Sequence, residues 1–501
     1  MPTIAPPEAP CSLLRRLLLP SLLDVFFAAL LLGAFVHPLG LESLLSDGDT
    51  GWHIRTGELV LQTGRAPVAD PFSFSRPRQQ WFAWEWLADV AFAAVWRWRG
   101  LAGAAVLAGA VLVLAATALL AHLLRRGCGL WIGLGATMAA VSASSLHYLA
   151  RPHVFSILFY TLALWVLAED RRRRGWLVWL LVPLTALWAN LHGGFAAWLA
   201  TLGLLLVFCL VRRDWSGLGR YGGLAALCLL ASLWNPYGWQ LHLHIARYLD
   251  SPWILDNVQE FQSPRIRSEG MIVFAVLLLA AVALAPRADR FEALLVLVWG
   301  FLALRSARHV PLFAIAAAPV LADGCAAYWA RLAAGGGVRA PLRIFWELAQ
   351  EFGRRPRVSL WLPVSAAVAM AAAPGAGFPD TLFPVQAVER NLAQLAPAPG
   401  MPRVLTSDQW ADYLIFRLYP RQRVFFDGRS DFFGPAIGSD YRKLLAGQSP
   451  WRQLLDRYRF DLALLPNDWA LSTALDREPG WRRVYQDSVA VLYQRQAGAL
   501  P

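Results

Sequence analysis

Two aspartates separated by one glycine, Asp47-Gly48-Asp49, follow the first long apolar stretch of the chain, and His53 comes soon after them. A carboxylate can take the proton from a hydroxyl group during group transfer, and carboxylates together with an imidazole can bind a divalent metal ion. Ionisable side chains at the edge of a membrane are costly, so they are candidates for function. We predict that Asp47 and Asp49 are catalytic, and that His53 and Asp49 bind a metal ion or an acceptor.

Further polar side chains gather at the ends of apolar stretches, mostly where Gly or Pro interrupts the pattern. This group comprises Arg151, His153, Asn190, His192, Arg305, Arg308 and His309. Taken singly, each of them also fits a helix cap or a contact with lipid headgroups. Their position on one predicted side of the membrane favours a shared functional role. Asp70 and Glu85 are secondary candidates, and either could instead be a structural partner.

The composition indicates a membrane protein. Of 501 residues, 57% are hydrophobic and only 16% are charged, and 24 are tryptophan, which is too apolar for one ordinary soluble core. A helix needs about 20 mostly apolar residues to cross a bilayer. Windows of this kind predict a polytopic α-helical membrane protein with about 11 transmembrane helices. They lie near 22–39, 101–124, 130–149, 154–168, 176–189, 195–210, 221–233, 271–285, 291–304, 310–330 and 358–373.

The arginines between these stretches predict the orientation of the chain. Short loops rich in Arg or Lys stay in the cytoplasm, and Arg15-Arg16, Arg125-Arg126 and the run Arg171 to Arg174 fall on one side. The N-terminus is therefore predicted to be cytoplasmic and the first long loop to lie outside. The topology explains the net charge of +12, so no nucleic-acid partner is expected. The strong bias toward Arg, with Lys443 as the single lysine, suggests a GC-rich bacterial coding sequence, so the predicted location is the bacterial cytoplasmic membrane.

Two domains are predicted along the chain. Residues 1–374 form the membrane domain, in which residues 40–85 are a first outer loop with short surface helices. Residues 375–501 alternate strand and helix patterns, which predicts a small extracytoplasmic α/β domain. Within it, Asp427-Gly428-Arg429 follows a predicted strand at 423–426, where ligand-binding loops often lie. An Asp–Arg pair that only shapes the turn explains this segment somewhat better, so we expect no second active site there. If the segment has a function, we expect it to bind an acceptor or partner.

The acids in the first outer loop, the surface helices of that loop, the many spans and the terminal outer domain together resemble the GT-C superfamily of membrane glycosyltransferases. The resemblance covers the whole architecture, while the motif match is confined to Ser46 through His53 and to residues 70–86. Protein O-mannosyltransferases, oligosaccharyltransferase catalytic subunits and lipid A aminoarabinose transferases share this plan. It implies an inverting enzyme that moves a sugar from a polyprenyl-phosphate-linked donor to a glycan, lipid or protein acceptor on the outer face.

The same resemblance implies roles for the candidate residues. Asp47 or Asp49 would be the general base, and the sequence does not order the two. A leaving phosphate gathers negative charge that cations can stabilise, and the candidates for this are Arg305, Arg308, His309 and, behind them, Arg151. For Arg308, contact with lipid headgroups is an equal alternative. A divalent ion such as Mg or Mn could serve as a cofactor, while metal dependence and the acceptor class stay open.

Two other function classes fit the same pattern. A transporter or flippase also combines many spans with polar groups at helix breaks, although carriers bind near the midplane and often show inverted repeats. Here the polar residues gather at one face, and no inverted repeat is evident. A non-catalytic scaffold that kept the fold and lost the chemistry is the third reading, since fold alone does not fix function.

Overall fold

The computed structural model describes residues 17–36, 38–334, 340–353 and 356–496, so that Arg15-Arg16 lies outside the described residues. The chain is mostly helical. The helices of the first part are α1 Leu22–Val36, α2 Pro38–Leu44, α3 Asp49–Thr63, α4 Trp86–Arg125, α5 Leu130–Ser144, α6 His153–Arg172, α7 Leu181–Leu191, α8 Phe195–Val211, α9 Trp215–Ser232, α10 Trp239–Leu249, α11 Pro252–Asn257, α12 Glu269–Leu284, α13 Arg290–Arg305, α14 Val310–Ala333, α15 Ala340–Gly353 and α16 Trp361–Ala372. Short 3-10 turns lie at Ser145–His147, Leu177–Leu180, Gln259–Phe261, Ala285–Arg287 and Ala307–His309.

Several of these helices suit a membrane. Within the described ranges, four segments are long and apolar enough to cross a bilayer by length and composition, and they are Trp86–Arg125, His153–Arg172, Glu269–Arg287 and Ala307–Ala333. Shorter apolar helices lie at Leu22–Gly33, Leu177–Leu191, Phe195–Val211 and Trp361–Ala372. The predicted apolar stretches coincide with helices to within a few residues. The prediction of a mostly helical chain with several long apolar helices is thereby confirmed, while the number of spans and their orientation stay predictions.

Helix α4 lies at the centre of the helical assembly. In its most apolar window 78% of the residues are buried inside the protein, whereas only 28% are buried in α12, whose remaining apolar surface suits contact with lipid. At 40 residues, α4 is about twice the length that a bilayer requires. Gly100 bends it with a φ of 63°, a conformation that glycine adopts without steric cost. The bend separates the apolar span from the arm that begins at Trp86.

The first outer loop packs on α4 through α3, the short amphipathic helix predicted near residues 51–63. The prediction of a helix is confirmed, but its first turns are enclosed on more than one side, because Trp52, His53 and Ile54 are all buried. Glycines allow the close approach. A Cβ on Gly57 would lie 2.0 Å from the backbone oxygen of Asp89 in α4. The loop therefore holds its polar residues inside the protein, not on an open surface.

The C-terminal part adds a small mixed sheet with helices around it. Its helices are α17 Val385–Arg390, α18 Leu392–Leu395, α19 Asp408–Leu418, α20 Ser430–Leu445, α21 Trp451–Tyr458 and α22 Ala470–Leu475. Its strands are β1 Val404–Leu405, β2 Leu462–Pro466, β3 Trp481–Gln486 and β4 Ala490–Arg495, in the order β1-β2-β4-β3. β1 pairs with β2 in parallel, and the other two pairings are antiparallel.

One strand prediction from the sequence is wrong. Residues 423–426 do not form a strand of the sheet, and Val424 instead makes single bridges to Val404 and to Ser73 in the first outer loop. Its backbone nitrogen donates to the oxygen of Phe72 at 3.0 Å, and its oxygen accepts from Phe74 at 2.9 Å. These bonds connect the first outer loop to the C-terminal part. A domain boundary near residue 374 stays a prediction, and one hydrophobic core runs through both parts.

We expect Gly57→Ala to destabilise the protein by about 1 to 3 kcal/mol, because the new methyl group would meet the backbone of α4. The measurement is the midpoint of thermal unfolding of the purified protein in detergent. Gly219→Ala is the matched control, since Gly219 also lies within a helix but a Cβ there has no atom within 4 Å. Equal midpoints for the two variants would contradict the close packing of α3 on α4.

Candidate active site

Three carboxylates converge on the guanidinium group of Arg151, which lies between α5 and α6. Its Nη2 is 2.8 Å from Oδ2 of Asp49, and its Nη1 is 3.0 Å from Oδ2 of Asp47 and 2.7 Å from Oε1 of Glu260. The backbone nitrogen of Asp49 also donates to Oδ1 of Asp47 at 2.9 Å. The buried guanidinium offsets the charge of the acids, so Arg151 sets the positions of both predicted catalytic aspartates.

A fourth carboxyl group, that of Asp412 in α19, faces Asp49. A Cβ on Gly428 would lie 2.0 Å from Oδ1 of Asp49 and 2.8 Å from Oδ2 of Asp412, so glycine leaves just enough room for the two groups. The backbone nitrogen of Gly428 donates to both oxygens of Asp412, at 3.1 and 3.2 Å. Asp49 Oδ1 is buried and accepts no hydrogen bond from the described residues. A proton held by this acid pair would supply the missing donor.

The electrostatics of the pair follow from burial. Burial raises the pKa of Asp49 to about 7, against the opposing effect of Arg151 and with a further increase from Asp47. Burial and then the charge of Asp49 hold the pKa of Asp412 well above its ordinary value. Two carboxyl groups this close rarely ionise together. The pair therefore favours one shared proton over two charges.

A chain of hydrogen-bonding groups continues from the next turn of α3. His53 Nδ1 lies 2.6 Å from Oδ1 of Asp89, and His53 Nε2 lies 3.7 Å from Oε2 of Glu85. On the other side, Oε1 of Glu85 is 3.4 Å from Nε2 of His192. His192 Nδ1 accepts the backbone N–H of Gly194 at 2.9 Å, so in the neutral ring the proton sits on Nε2 and points toward Glu85. Burial raises the pKa of Glu85 to about 8, which leaves a neutral acid between two imidazoles.

The predicted phosphate-binding cations separate into two groups. Arg308 sits on the 3-10 turn before α14, with its guanidinium carbon 4.2 Å from the ring centre of Phe261, and its buried Nη1 has no hydrogen-bond partner among the described residues. The neighbouring His309 likewise has a buried Nδ1 without a described partner. Arg305 is the last residue of α13 and is exposed. Of the two arginines, Arg308 is therefore the one placed to bind an anion within the protein.

Two cavities meet at Asp49 and Arg151. The first, which we call the aromatic cavity, has a volume of about 390 Å³ and is lined by Trp52, Trp81, Trp84, Trp299, Glu85, His192, Arg308 and His309 among others. The second, which we call the polar cavity, has a volume of about 560 Å³ and lies against α11, α19 and α20. Asp49, Arg151, Glu260 and Gly428 belong to the walls of both. Asp47 lines the polar cavity and is not among the residues lining the aromatic one.

Arg429 anchors the first outer loop to the C-terminal part beside these cavities. Its Nη2 lies 2.6 Å from Oδ2 of Asp427 and 2.8 Å from Oδ1 of Asp70. The guanidinium also lies over the rings of Trp81, Phe72, Phe432 and Phe433. The Asp427–Arg429 pair shapes the turn, as one interpretation of the sequence required. The turn also presents Gly428 and Arg429 to the aromatic cavity, so the segment contributes to the site.

The structure shows where the remaining predicted residues lie. His153 lines the aromatic cavity, and its Nε2 is 2.5 Å from the oxygen of His147. Asn190 accepts the indole N–H of Trp86 at 2.9 Å and donates to the oxygen of Trp234 at 2.8 Å, so it fixes helix ends. Asp70 binds Arg429 and does not line either cavity.

The sequence did not reveal Asp412 or Glu260 as site residues, whereas binding was expected at the segment that contains Arg429. A usable signal existed for Asp412, because an acid lies in the amphipathic pattern of residues 408–418 between Ala411 and Tyr413, where a core residue is expected. Glu260 carries no such signal. It lies on the 3-10 turn Gln259–Phe261 that follows α11, and only the fold brings it within 2.7 Å of Arg151.

Comparison with solved structures identifies the fold. The archaeal oligosaccharyltransferase AglB from Archaeoglobus fulgidus, in complex with an inhibitory peptide and a dolichol-phosphate, has a TM-score of 0.59 at 12% sequence identity, covering 96% of this chain and 74% of AglB. This chain has the GT-C fold. ArnT from Cupriavidus metallidurans has TM-scores of 0.45 with undecaprenyl phosphate bound and 0.47 in the apo state, each at 17% identity, covering 95% and 94% of this chain and 98% and 97% of ArnT. No protein-family model and no curated protein matches the sequence.

The carboxylates that could bind a metal ion contact the guanidinium group of Arg151 instead. Among the described residues, no group of three or more His, Cys, Asp or Glu is arranged to hold a metal ion. Asp47, Asp49 and Glu260 converge on Arg151, and His53 is turned toward Asp89 and Glu85. This arrangement of side chains does not fit the Mg or Mn site suggested above. Metal dependence stays a prediction.

We expect Asp49→Asn to gain stability relative to the unaltered protein as the pH rises from about 5 to about 8. The pKa of Asp49 is raised from 3.8 to about 7 on folding, so the folded state favours the protonated form. That stabilisation is complete below the ordinary pKa and is lost as the pH rises through about 7, at about 1.4 kcal/mol per pKa unit. Asparagine at position 49 does not ionise, so its contribution to the free energy of unfolding does not change with pH. The measurement is the difference in unfolding midpoint between the two proteins across this range.

The control for this comparison is Glu351→Gln, which removes one negative charge from the exposed surface. A pH-independent difference between Asp49→Asn and the unaltered protein would show that Asp49 is not held in a protonated state.

Proposed function

We propose that the protein is an inverting glycosyltransferase that moves a sugar from a polyprenyl-phosphate-linked donor to an acceptor on the outer face of the cytoplasmic membrane, with Asp49 as general base. One observation carries this proposal. Asp49 belongs to the walls of both cavities, and Arg151 holds its Oδ2 at 2.8 Å. A base that joins a donor site to an acceptor site needs this position.

The aromatic cavity has the properties of a donor site. It is formed largely by apolar helices, and its wall combines small and large apolar side chains such as Ala197, Leu302 and Leu312 with Arg308. An isoprenoid chain suits the apolar part, and a phosphate suits a buried guanidinium with a free Nη1. AglB, which shares the fold, is bound to a dolichol-phosphate. The proposed donor is of the same chemical class.

The reaction requires one bond to form and one to break. An acceptor hydroxyl oxygen in the polar cavity attacks the anomeric carbon, and its proton passes to Asp49. The bond between that carbon and the phosphate oxygen breaks, and its electron pair leaves with the phosphate. Arg308 stabilises the charge that develops there, which is the type of interaction that lowers a transition-state barrier most. Displacement from the side opposite the phosphate inverts the anomeric centre.

Asp47 and Arg151 act in this proposal through Asp49. Asp47 accepts the backbone N–H of Asp49 and holds Arg151 from the polar cavity. Arg151 in turn holds Oδ2 of Asp49 at 2.8 Å and so fixes the carboxyl group where the two cavities meet. This orders the two acids that the sequence left unordered, with Asp49 as the base and Asp47 as a positioning residue.

We expect Asp49→Asn to lower the rate of sugar transfer by about 100-fold or more, because a general base typically contributes that much. Asp47→Asn should lower it less, by roughly tenfold, since only the positioning of Arg151 and Asp49 is weakened. The measurement is release of labelled sugar from a panel of polyprenyl-phosphate-linked donors in membranes that contain matched amounts of each protein. Equal rates for all three proteins would refute the base assignment. Movement of the lipid across vesicle membranes without release of label would instead support a transporter. The absence of both transfer and lipid movement would support a non-catalytic scaffold.

We expect Arg308→Gln to lower transfer by about 100-fold, the usual effect of removing one electrostatic donor from an active site. Arg305→Gln is the matched control, because Arg305 is three residues away on the exposed end of α13. It should leave the rate within about twofold of the unaltered protein. If the two variants lose activity equally, the phosphate is bound elsewhere.

A further inference from the structure

The polar cavity carries an excess of acidic groups. Its wall includes five carboxylates, Asp47, Asp49, Glu260, Asp408 and Asp431, and two arginines, Arg151 and Arg442. Arg151 already binds three of the acids. Arg442 lies on α20 with an exposed side chain. The interior of the cavity is therefore negative, and a negatively charged ligand would meet repulsion there.

Aromatic rings line the same cavity and are held rigidly. Tyr441 stacks on Phe426 with ring centres 4.2 Å apart and an angle of 13° between the rings. The indole of Trp253 fits against α20 where a glycine makes room, since a Cβ on Gly438 would lie 2.0 Å from the ring. Trp253 also meets Phe426 edge to face, with ring centres 6.4 Å apart. These rings offer fixed, electron-rich surfaces beside the carboxylates.

The carboxylates supply many hydrogen-bond acceptors along the wall. The carboxylates accept only, and the side chains of Asn257 and Gln259 can do both. Asp49 also lines this cavity. A ligand that complements these carboxylates is a hydrogen-bond donor, as a hydroxyl or an ammonium group is. A volume of about 560 Å³ is in the range of sites for small organic ligands.

We propose that the polar cavity binds the acceptor as a neutral or amine-bearing saccharide whose hydroxyl groups donate to Asp49 and the neighbouring carboxylates and whose ring packs on Trp253. The proposal rests on the proposed function, because the cavity is assigned to the acceptor through Asp49. A sugar ring presents hydroxyl donors at its edge and slightly positive C–H groups on its face, and both match this wall. An acyl chain lacks donors for the acids, and an acidic glycan adds charge to an already negative cavity.

The test compares three trisaccharides of similar size: maltotriose, chitosan trisaccharide with protonated amines, and trigalacturonate. Binding to the purified full-length protein in detergent is measured by isothermal titration calorimetry, without a donor. We expect maltotriose and chitosan trisaccharide to bind and trigalacturonate to bind at least tenfold more weakly, since like charges within a site are strongly unfavourable. Preferential binding of trigalacturonate would overturn the proposal. Binding of a Ser- and Asn-containing hexapeptide in place of the saccharides would overturn it in favour of a peptide acceptor.

Variants of Trp253 link the binding to this cavity. Trp253→Ala should weaken the binding of maltotriose by roughly three- to tenfold, the value of one aromatic contact, whereas Trp253→Phe should retain most of it. Trp215→Ala is the matched control, because Trp215 is 65% exposed and lines neither cavity. Equal affinities for Trp253→Ala and Trp215→Ala would overturn the assignment of the saccharide to this cavity.

The binding experiment and the transfer experiment fail separately. If labelled sugar leaves the polyprenyl donor in an Asp49-dependent way and no saccharide binds, the proposed function holds and the acceptor class is wrong. If the saccharides bind in the predicted order and label never leaves any donor, saccharide recognition by the cavity holds and the proposed function is wrong.

Discussion

A single buried guanidinium group supports the charge arrangement of the whole site. Asp47 and Asp49 belong to the first outer loop, Glu260 follows α11, and all three touch Arg151. Without a cation between them, three carboxylates at this depth would repel one another and take up protons. Removing one partner from such a cluster is strongly destabilising, because charges are left buried and uncompensated. The position of the proposed base and the meeting of the two cavities depend on this contact, whereas burial raises the pKa of the nearby acids Asp412 and Glu85.

A second constraint is the amount of backbone that must come close around Asp49. Gly48 and Gly51 let α3 approach α19, and Gly57 lets it approach α4. Gly428 then leaves room for the acid pair of Asp49 and Asp412. Side chains at these positions would collide with the neighbouring backbone and with the two carboxyl groups. The motif around Asp49 is thus as much a packing motif as a chemical one.

Much of the fold could be predicted from the sequence, because long apolar helices and an amphipathic loop helix follow from local pattern. The choice of Asp49 as a candidate also needed only its type and its neighbourhood. Asp412 and Glu260 could not be placed in the same way, since their roles arise from contacts between distant segments. The difference between Arg305 and Arg308 is equally non-local. Both are arginines near the end of one helix, and a short 3-10 turn at Ala307–His309 decides that only the second lies against Phe261.

The contacts that complete the surroundings of Asp49 come from very far along the chain. The backbone nitrogen of Gly48 donates to the side chain of Gln409 at 2.7 Å, across a separation of 361 residues, and Asp412 and Gly428 follow still later. Pairings of such long range form slowly and late, since the intervening chain must first be ordered. During synthesis, Asp49 therefore lacks these contacts until the C-terminal part of the protein has been made and has docked. A nascent or truncated chain would carry Asp49 without Asp412 beside it, so the surroundings of the proposed base are complete only once residues 408–428 have been made and have docked.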